Sequence, residues 1–419
     1  MAYFGSRSAL VETLPQGDIT PYQYNKPKSG LNVCRMKRIL NSLEQTYTSG
    51  QNAICRFRLP TDVPIDFRNS YVLADITLNV TGGTYKRLSN GVWNILDRVR
   101  HHANNDTIEE RTSYNRIYSL LWQTLQDPDV EQTIGTDLIG IGTQADRDAA
   151  GAVTTRYCLP LDLGFLNSGV IPLHAFKGVC HEIELYLGRA ESYVETDGTP
   201  ISITVTNLEW HVETVTSMDG SYEESLRTLV DRSEFAVWYY QWATFQNYIA
   251  NTQQDLIIAA RNESLNAIIS TFLPLSTMFS PTVNDKFNTF AKNDTTSYQY
   301  KINMKLIPEE PVDCTGKAIE AYMNYLTWAG CWNLTSFHAN SPNITLSNFN
   351  ADQFIIVADF RNTRGADVLN NFSTESSTLD LILKLNLSTA PMANLALMSY
   401  LNFNTVARVL PSGKVLVRS

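Results

Sequence analysis

The chain is short of most things that catalysis uses. It has six histidines in 419 residues. None forms the His-x-His pair with a following Glu that a cupin-type metal site would place on facing strands. His101 and His102 are chain neighbours, so in a strand they would point to opposite faces and could not chelate together. A turn or a helix N-terminus is the plainer expectation for them. The six cysteines, Cys34, Cys55, Cys158, Cys180, Cys314 and Cys331, include no C-x-x-C pair, which removes zinc knuckles and dithiol redox motifs. Cys55 and Cys180 fall in apolar strand patterns and are expected as reduced core thiols. There is no G-x-S-x-G nucleophile elbow and no G-x-x-x-x-G-K-[ST] phosphate loop. Gly140-Ile141-Gly142-Thr143-Gln144-Ala145 has the look of a dinucleotide fingerprint. The succeeding residues, Asp146 to Val153, have no amphipathic period, so a surface loop is expected there instead. No cofactor, metal or catalytic residue is therefore assigned, and the chain is expected not to be an enzyme.

Charge is also scarce. Lys and Arg number 33 against 42 Asp and Glu, a formal net charge of −9. That balance argues against a surface built to coat nucleic acid. One local exception precedes residue 48, where Arg7, Lys26, Lys28, Arg35, Lys37 and Arg38 outnumber Glu12, Asp18 and Glu44. This segment reads as a solvated arm or as a lining that faces an anionic interior. No uncharged apolar run approaches the ~18 residues of a membrane span. The opening MAYFGSRSALVE lacks the apolar stretch of a secretory signal, so a chain that is not secreted is expected. Sequons in strand patterns, such as Asn79 and Asn386, are poor glycan acceptors.

Period-two alternation is abundant. Val72, Ala74, Ile76, Leu78 and Val80 face one way, against Asp75, Thr77 and Asn79. Cys55–Leu59, His181–Leu187, Tyr298–Leu306 and Leu381–Leu387 repeat the pattern. Within Ile201–Val215 the phase slips at Asn207, the mark of one inserted residue and hence a β-bulge. Pro411-Ser412-Gly413 between Thr405–Leu410 and Lys414–Arg418 reads as a hairpin turn. Helical spacing links Tyr114, Ile117, Tyr118, Leu121 and Leu125, and again Ile319, Tyr322, Met323 and Leu326, with Gly330 as a stop. Asn262 could cap a short helix carrying Leu265, Ile268, Ile269 and Phe272. Weaker periodicity suggests helices beginning near residues 34 and 222.

Many strands with a helix inserted midway, twice over, predict an all-β chain. It should hold two tandem eight-stranded antiparallel jelly-roll sandwiches with a few short inserted helices. The expected division is an arm over 1–48, a first sandwich over 49–218 and a second over 219–419, joined at Met218-Asp219-Gly220-Ser221.

Phe235–Phe245 is apolar on both strand faces, with Trp238, Tyr240 and Trp242 on one and Val237 and Tyr239 on the other. A strand covered on both sides lies either between its own sandwich and a helix or at an inter-domain or subunit contact. Trp238, Tyr239, Tyr240 and Trp242 are accordingly the interface candidates. Glu182 and Glu184 share a strand face, as do Glu209 and Glu213. Same-face glutamates on a sandwich exterior are expected to be solubilising rather than a glycosidase pair.

The order of elements resembles the double jelly-roll major capsid proteins of icosahedral DNA viruses: Polinton-like viruses, virophages and the adenovirus–tectivirus lineage. The resemblance runs through Phe57-Arg58-Leu59-Pro60, Ile65-Asp66, the strand from Ser70-Tyr71, a strand Val92–Arg98 and the Tyr114-Asn115 helix start. It continues through Leu159-Pro160-Leu161, Leu163-Gly164-Phe165, Ile171-Pro172-Leu173, Glu182–Leu187, Leu381–Leu387 and the closing hairpin. The resemblance implies a pseudo-hexagonal homotrimer that tiles an icosahedral shell, assembled in the host cytoplasm or nucleus. Penton and minor or cement proteins are its implied partners. The basic residues Lys26, Lys28, Arg35, Lys37 and Arg38 would face the genome or an internal membrane. A glycan-binding or spike-like β-sandwich protein and a double-sandwich hydrolase are the alternatives. The first calls for exposed aromatic platforms at loop tips, the second for a cleft with convergent carboxylates.

Overall fold

The computed structural model describes residues 33–49, 53–104, 106–125, 135–136, 138–151, 154–176, 178–232, 235–262, 264–302, 305–331, 344–361, 381–410 and 414–418. Eight strands carry the first sandwich. They are β1 (Val33–Asn41), β2 (Ile54–Arg58), β3 (Ile65–Val80), β4 (Leu96–Ala103), β5 (Asp106–Thr112), β6 (Thr155–Leu159), β7 (His181–Leu187) and β8 (Ile201–Ser217). Eight carry the second: β9 (Phe235–Tyr248), β10 (Gln253–Ile258), β11 (Leu265–Pro274), β12 (Thr295–Ile302), β13 (Lys305–Asp313), β14 (Ile356–Asp359), β15 (Leu381–Leu387) and β16 (Leu395–Val409).

The first sandwich pairs a sheet in the order β1-β8-β3-β6 with one in the order β2-β7-β4-β5. The second repeats this strand for strand, as β9-β16-β11-β14 and β10-β15-β12-β13. Every ladder of these sheets among the described residues is antiparallel. Two sheets with this interleaved order are a jelly roll, so the chain is two jelly rolls in tandem. Short strands lie off the main paths, among them Thr46–Thr48, Val170–Ile171 and Val415–Arg418. The inserted helices match as well. The first sandwich carries α1 (Tyr114–Leu125) and α2 (Gln144–Gly151) between its fifth and sixth strands. After a turn α3 (Gly164–Asn167) and the connecting helix α4 (Ser221–Arg232), the second carries α5 (Ile319–Trp328) and α6 (Leu346–Ala351) at the same place.

Alternation builds these sheets. Val72, Ala74, Ile76 and Leu78 are buried along β3, as are Leu381, Leu383, Leu385 and Leu387 along β15. The bulge falls where the phase slips: Thr206 opposes Asp75 and Glu209 opposes Leu73, leaving Asn207 and Leu208 against Ala74 alone. Asn207 takes φ 49° there, a left-handed conformation that asparagine tolerates better than most residues.

Several expectations are overturned. Leu265–Pro274 is the central strand β11, buried on both faces, and not a helix capped by Asn262. Residues from 33 form the edge strand β1, where a helix near 34 was expected. The helix near 222 is present as α4. Part of the basic segment, residues 33–48, is therefore sheet and not a free arm. Val92–Ile95 is a buried 3-10 turn, and the strand begins at Leu96. Tyr298–Leu306 is not one strand: Ile302 and Lys305 pair across a hairpin. Gln144–Gly151 is a helix rather than a loop. Its signal is the capping box Thr143-x-x-Asp146, in which the Asp146 N–H donates to Thr143 Oγ1 (3.4 Å) and the Thr143 N–H donates to Asp146 Oδ2 (3.1 Å). Among the described residues no parallel ladder leads into it, as a dinucleotide fold would need. Cys180 is half-buried, whereas Cys55 and Cys314 are the buried thiols. Strands β16 and Val415–Arg418 pair as a hairpin, but its turn, Pro411-Ser412-Gly413, lies outside the described residues.

Candidate functional site, the aromatic seam between the sandwiches

β9 is paired along its whole length with β16, from Phe235 against Val409 to Tyr248 against Ala396. No ladder occupies its other edge among the described residues. That edge lies against β5, itself an edge strand of the first sandwich. Tyr239 Oη donates to the Ile108 carbonyl (2.7 Å), as does Gln241 Nε2 (2.8 Å), and Thr244 Oγ1 donates to the Thr112 carbonyl (3.1 Å). Side chains of one exposed edge thus satisfy the backbone of another, which blunts both.

The aromatic segment serves two cores. Phe235, Val237 and Tyr239 pack into the first sandwich's core and Trp242 into the second's. Trp238 and Tyr240 are half-buried. With Tyr239 and Trp242 they line an open cleft of about 450 Å³, together with Tyr118, Leu121 and Trp122 of α1 and Arg68. Helix α1 is likewise shared: Tyr114 belongs to the first core, while Ile117, Leu120 and Leu121 belong to the second. All four interface candidates therefore sit at the seam between the two sandwiches of one chain. Gly164, which opens α3, is pressed on the backbone of Tyr240, where an added Cβ would overlap the Tyr240 carbonyl oxygen.

Beneath the seam lies an ionic cluster that sequence reading missed. Glu109 and Arg111 are 1% and 2% exposed. Glu109 accepts from Arg111 Nε (2.9 Å) and from the Gly164 and Phe165 amides (2.9 and 3.0 Å), and Arg111 Nη1 donates to Asp162 Oδ2 (2.7 Å). Burial pushes the Glu109 carboxyl upward, and Arg111 and the two amides oppose it. A second cluster bridges the sandwiches at Glu195, which is fully buried. It accepts from Arg87 Nε (2.8 Å), Ser89 Oγ (2.8 Å), Arg147 Nη1 (3.3 Å) and the Asp285 amide (2.8 Å), and Arg147 also reaches Asp285 Oδ1 (3.0 Å). Asp285 belongs to the second half of the chain, so this carboxylate ties the halves together. Thr143-x-x-Asp146 could have revealed the helix that brings Arg147, but nothing local in the sequence announces its partners.

The other candidates are placed elsewhere. Arg35 on β1 binds Asp66 Oδ2 (3.0 Å) and Glu213 Oε2 (2.7 Å), and Arg38 binds Asp62. Although burial pushes the Asp66 carboxyl up, Arg68 and then Arg35 outweigh it and hold it below the usual range. Lys37 lies over the Tyr71 ring at 5.8 Å. Lys26 and Lys28 lie outside the described residues. The same-face glutamates are cross-strand ion-pair partners: Glu182 with Arg58, Glu184 with Arg56, Glu209 with Arg156 and Glu213 with Arg35. No group of three or more His, Cys, Asp or Glu side chains is gathered as a metal site among the described residues. No described helix is long and apolar enough to cross a membrane.

Two jelly rolls in tandem, locked by a shared helix and a shared strand, define the double jelly-roll class. No family model matches the chain, and no curated protein matches it either. Solved structures do. The chain is similar to PBCV-1 VP54, fitted into a reconstruction of the virophage Sputnik, with TM-score 0.62 and 12% identity over 94% of this chain and 98% of that one. It is similar to the Faustovirus major capsid protein, with TM-score 0.60 and 8% identity over 90% and 91%. It is also similar to a chain of the Sputnik virophage structure, with TM-score 0.56 and 10% identity over 93% and 89%. At these identities the likeness establishes a shared double jelly-roll fold spanning nearly the whole of each chain.

Proposed function

We propose that the chain is a major capsid protein, a structural subunit whose homotrimer presents six near-equivalent sandwiches and tiles an icosahedral shell. The observation that carries this is the identical eight-strand order repeated in one chain, in a fold shared over 90% of the chain with the Faustovirus major capsid protein. Two like sandwiches held rigidly side by side give a three-fold ring a pseudo-hexagonal outline. Closed C3 symmetry then needs heterologous contacts, in which each subunit offers different surfaces to its two neighbours. Obligate contacts of this kind bury roughly 2,000 Å² or more per pair.

The division we propose keeps an arm over 1–48, whose β1 lends an edge strand to the first sandwich's sheet, sandwiches over 49–218 and 219–419, and the join at Met218–Ser221. Arg35 and Arg38 are already engaged by carboxylates, so contact with genome or an internal membrane falls to Lys26, Lys28 and Lys37. Penton and minor or cement proteins are the further partners of such a shell, and the virion is the place where the protein acts. Trp238 is the proposed anchor of the interface.

Size-exclusion chromatography with light scattering, then electron microscopy of the same sample, tests the reading. Trimers of pseudo-hexagonal outline, or shells, are the expected result. A stable monomer at every concentration would overturn it. Trp238→Ala should weaken the trimer while the monomer stays folded. Loss of folding with no separable monomer would instead restrict Trp238 to the intrachain seam.

A further inference from the structure

Two imidazoles lie under the seam and belong to neither ionic cluster. His101 is on β4 and His181 opens β7, with His101 opposite Ile183 and His181 opposite Ala103. Both are fully buried. His101 Nε2 and His181 Nδ1 are 3.0 Å apart and share one hydrogen bond. The remaining nitrogens, His101 Nδ1 and His181 Nε2, are buried without a hydrogen-bond partner among the described residues. Buried polar atoms left in this way are rare and costly. The turn or helix N-terminus expected for His101 and His102 is overturned: both lie in strand β4, where His102 is on the opposite face, 3.6 Å from Glu182.

The pair supports the second sandwich through two rings. Phe165 lies 5.1 Å from His101 and meets Tyr239 edge-on at 5.7 Å. Phe176 lies 5.7 Å from His181 and 5.5 Å from Phe235. Tyr239 and Phe235 are on β9. A proton placed on the imidazoles is therefore placed directly beneath the strand that holds the two sandwiches together.

The surrounding charged and titratable groups are otherwise engaged. Glu109 opposes His101 across the β4–β5 ladder, but its oxygens accept from Arg111 and the Gly164 and Phe165 amides. Arg111 in turn is held by Asp162. The Tyr239 hydroxyl donates to Ile108. Cys180 is directed to Glu182, and His174 is bonded at the Glu223 carbonyl. No carboxylate is hydrogen-bonded to either ring of the pair among the described residues.

We propose that the His101–His181 pair is an acid-sensitive latch, in which protonation loosens the seam and frees β9 from the first sandwich. Burial, with the neighbouring histidines second, holds His101 well below its usual range and His181 at about 4. The sign is set by linkage: the opened state takes up protons near pH 6.5, whereas in the closed state His181 does so only at about 4 and His101 well below its usual range. The closed seam is at full strength above 6.5 and weakens as pH falls toward 4. For His181 alone the opened population rises about thirtyfold between pH 8 and pH 5. The inference concerns the chain itself and is independent of the shell-building reading.

Amide hydrogen-exchange protection of Phe235–Phe245, monitored from pH 8 to pH 5, tests it. Protection should fall about thirtyfold in the native protein and should still fall, by less, in His102→Gln, and should stay level in the double variant His101→Gln, His181→Gln. Level protection in the native protein, or an unchanged acid response in the double variant, overturns the latch. If the double variant does not fold, the histidine ring signals of the native protein decide. Titration below pH 5.5 that coincides with loss of β9 protection supports the latch, and titration near 6.5 with β9 still protected overturns it.

Discussion

Gly164→Ala tests the seam with a single methyl group. The backbone of Gly164 needs no left-handed conformation, so alanine meets no intrinsic strain there. The obstacle is the second sandwich. A Cβ at this position overlaps the Tyr240 carbonyl oxygen and comes to 3.1 Å from both the Tyr240 carbonyl carbon and Tyr239 Cδ2. Carbon atoms pack best at ~3.5–4.0 Å, so β9 or α3 must retreat by roughly 1 Å. Overpacking of this kind costs ~1–3 kcal/mol. The retreat also stretches the bonds from Tyr239 Oη and Gln241 Nε2 to Ile108 (2.7 and 2.8 Å), each contributing ~1 kcal/mol. The expected loss is ~3–5 kcal/mol, read as a lower urea midpoint monitored by tryptophan fluorescence. Gly188→Ala is the control. Its added Cβ would find nothing closer than 3.5 Å, so the variant should be neutral or up to ~1 kcal/mol more stable. Equal midpoints for the two variants would refute the claim that β9 is pressed against α3.

Two further variants probe the same argument by other routes. Arg111→Met leaves the Glu109 carboxylate buried without its cation and should cost ~3–5 kcal/mol in urea unfolding, whereas Glu109→Gln with Arg111→Met should recover part of that loss. Asn207→Val forces a β-branched side chain into φ 49° at the bulge and should cost ~1–3 kcal/mol, while Asn207→Gly should stay within about 1 kcal/mol of the native midpoint by the same measurement.

Strands with one wet face were legible because alternation survives in the sequence, as along Val72–Leu78 and Leu381–Leu387. The bulge at Asn207 was legible for the same reason, since one extra residue shifts the phase. β11 was not. A strand buried on both faces has no polar phase, and Leu265, Ile268, Ile269 and Phe272 then fall at helical spacing by accident. β1 misled in the opposite way, because an edge strand with Arg35, Met36 and Ile39 exposed carries little pattern at all. At the seam, the aromatic run Trp238–Trp242 stood out because it is apolar on both faces. The Glu109–Arg111–Asp162 cluster, the Glu195 bridge and the histidine pair did not. Each joins residues distant along the chain, such as Arg111 to Asp162, Glu195 to Arg147 and Asp285, and His101 to His181, and only the tertiary fold brings them together.

The strand order carries a consequence for how the chain is made. In each sandwich the eighth strand lies between the first and the third, β8 between β1 and β3 and β16 between β9 and β11. Neither sheet can close until its last strand arrives. All eight strands of the first sandwich are present once Ile201–Ser217 has emerged from the ribosome, and its sheets can form while the rest, including the Phe235, Val237 and Tyr239 that finish its core, is still being synthesised. The second must wait for Leu395–Val409, and until then β9 and β11 stand open as sticky edges. The finished first sandwich offers β5 and α1 as a surface on which β9 can rest during that interval. Half of the molecule thus serves as a template that shelters the other half from its neighbours on the same polysome.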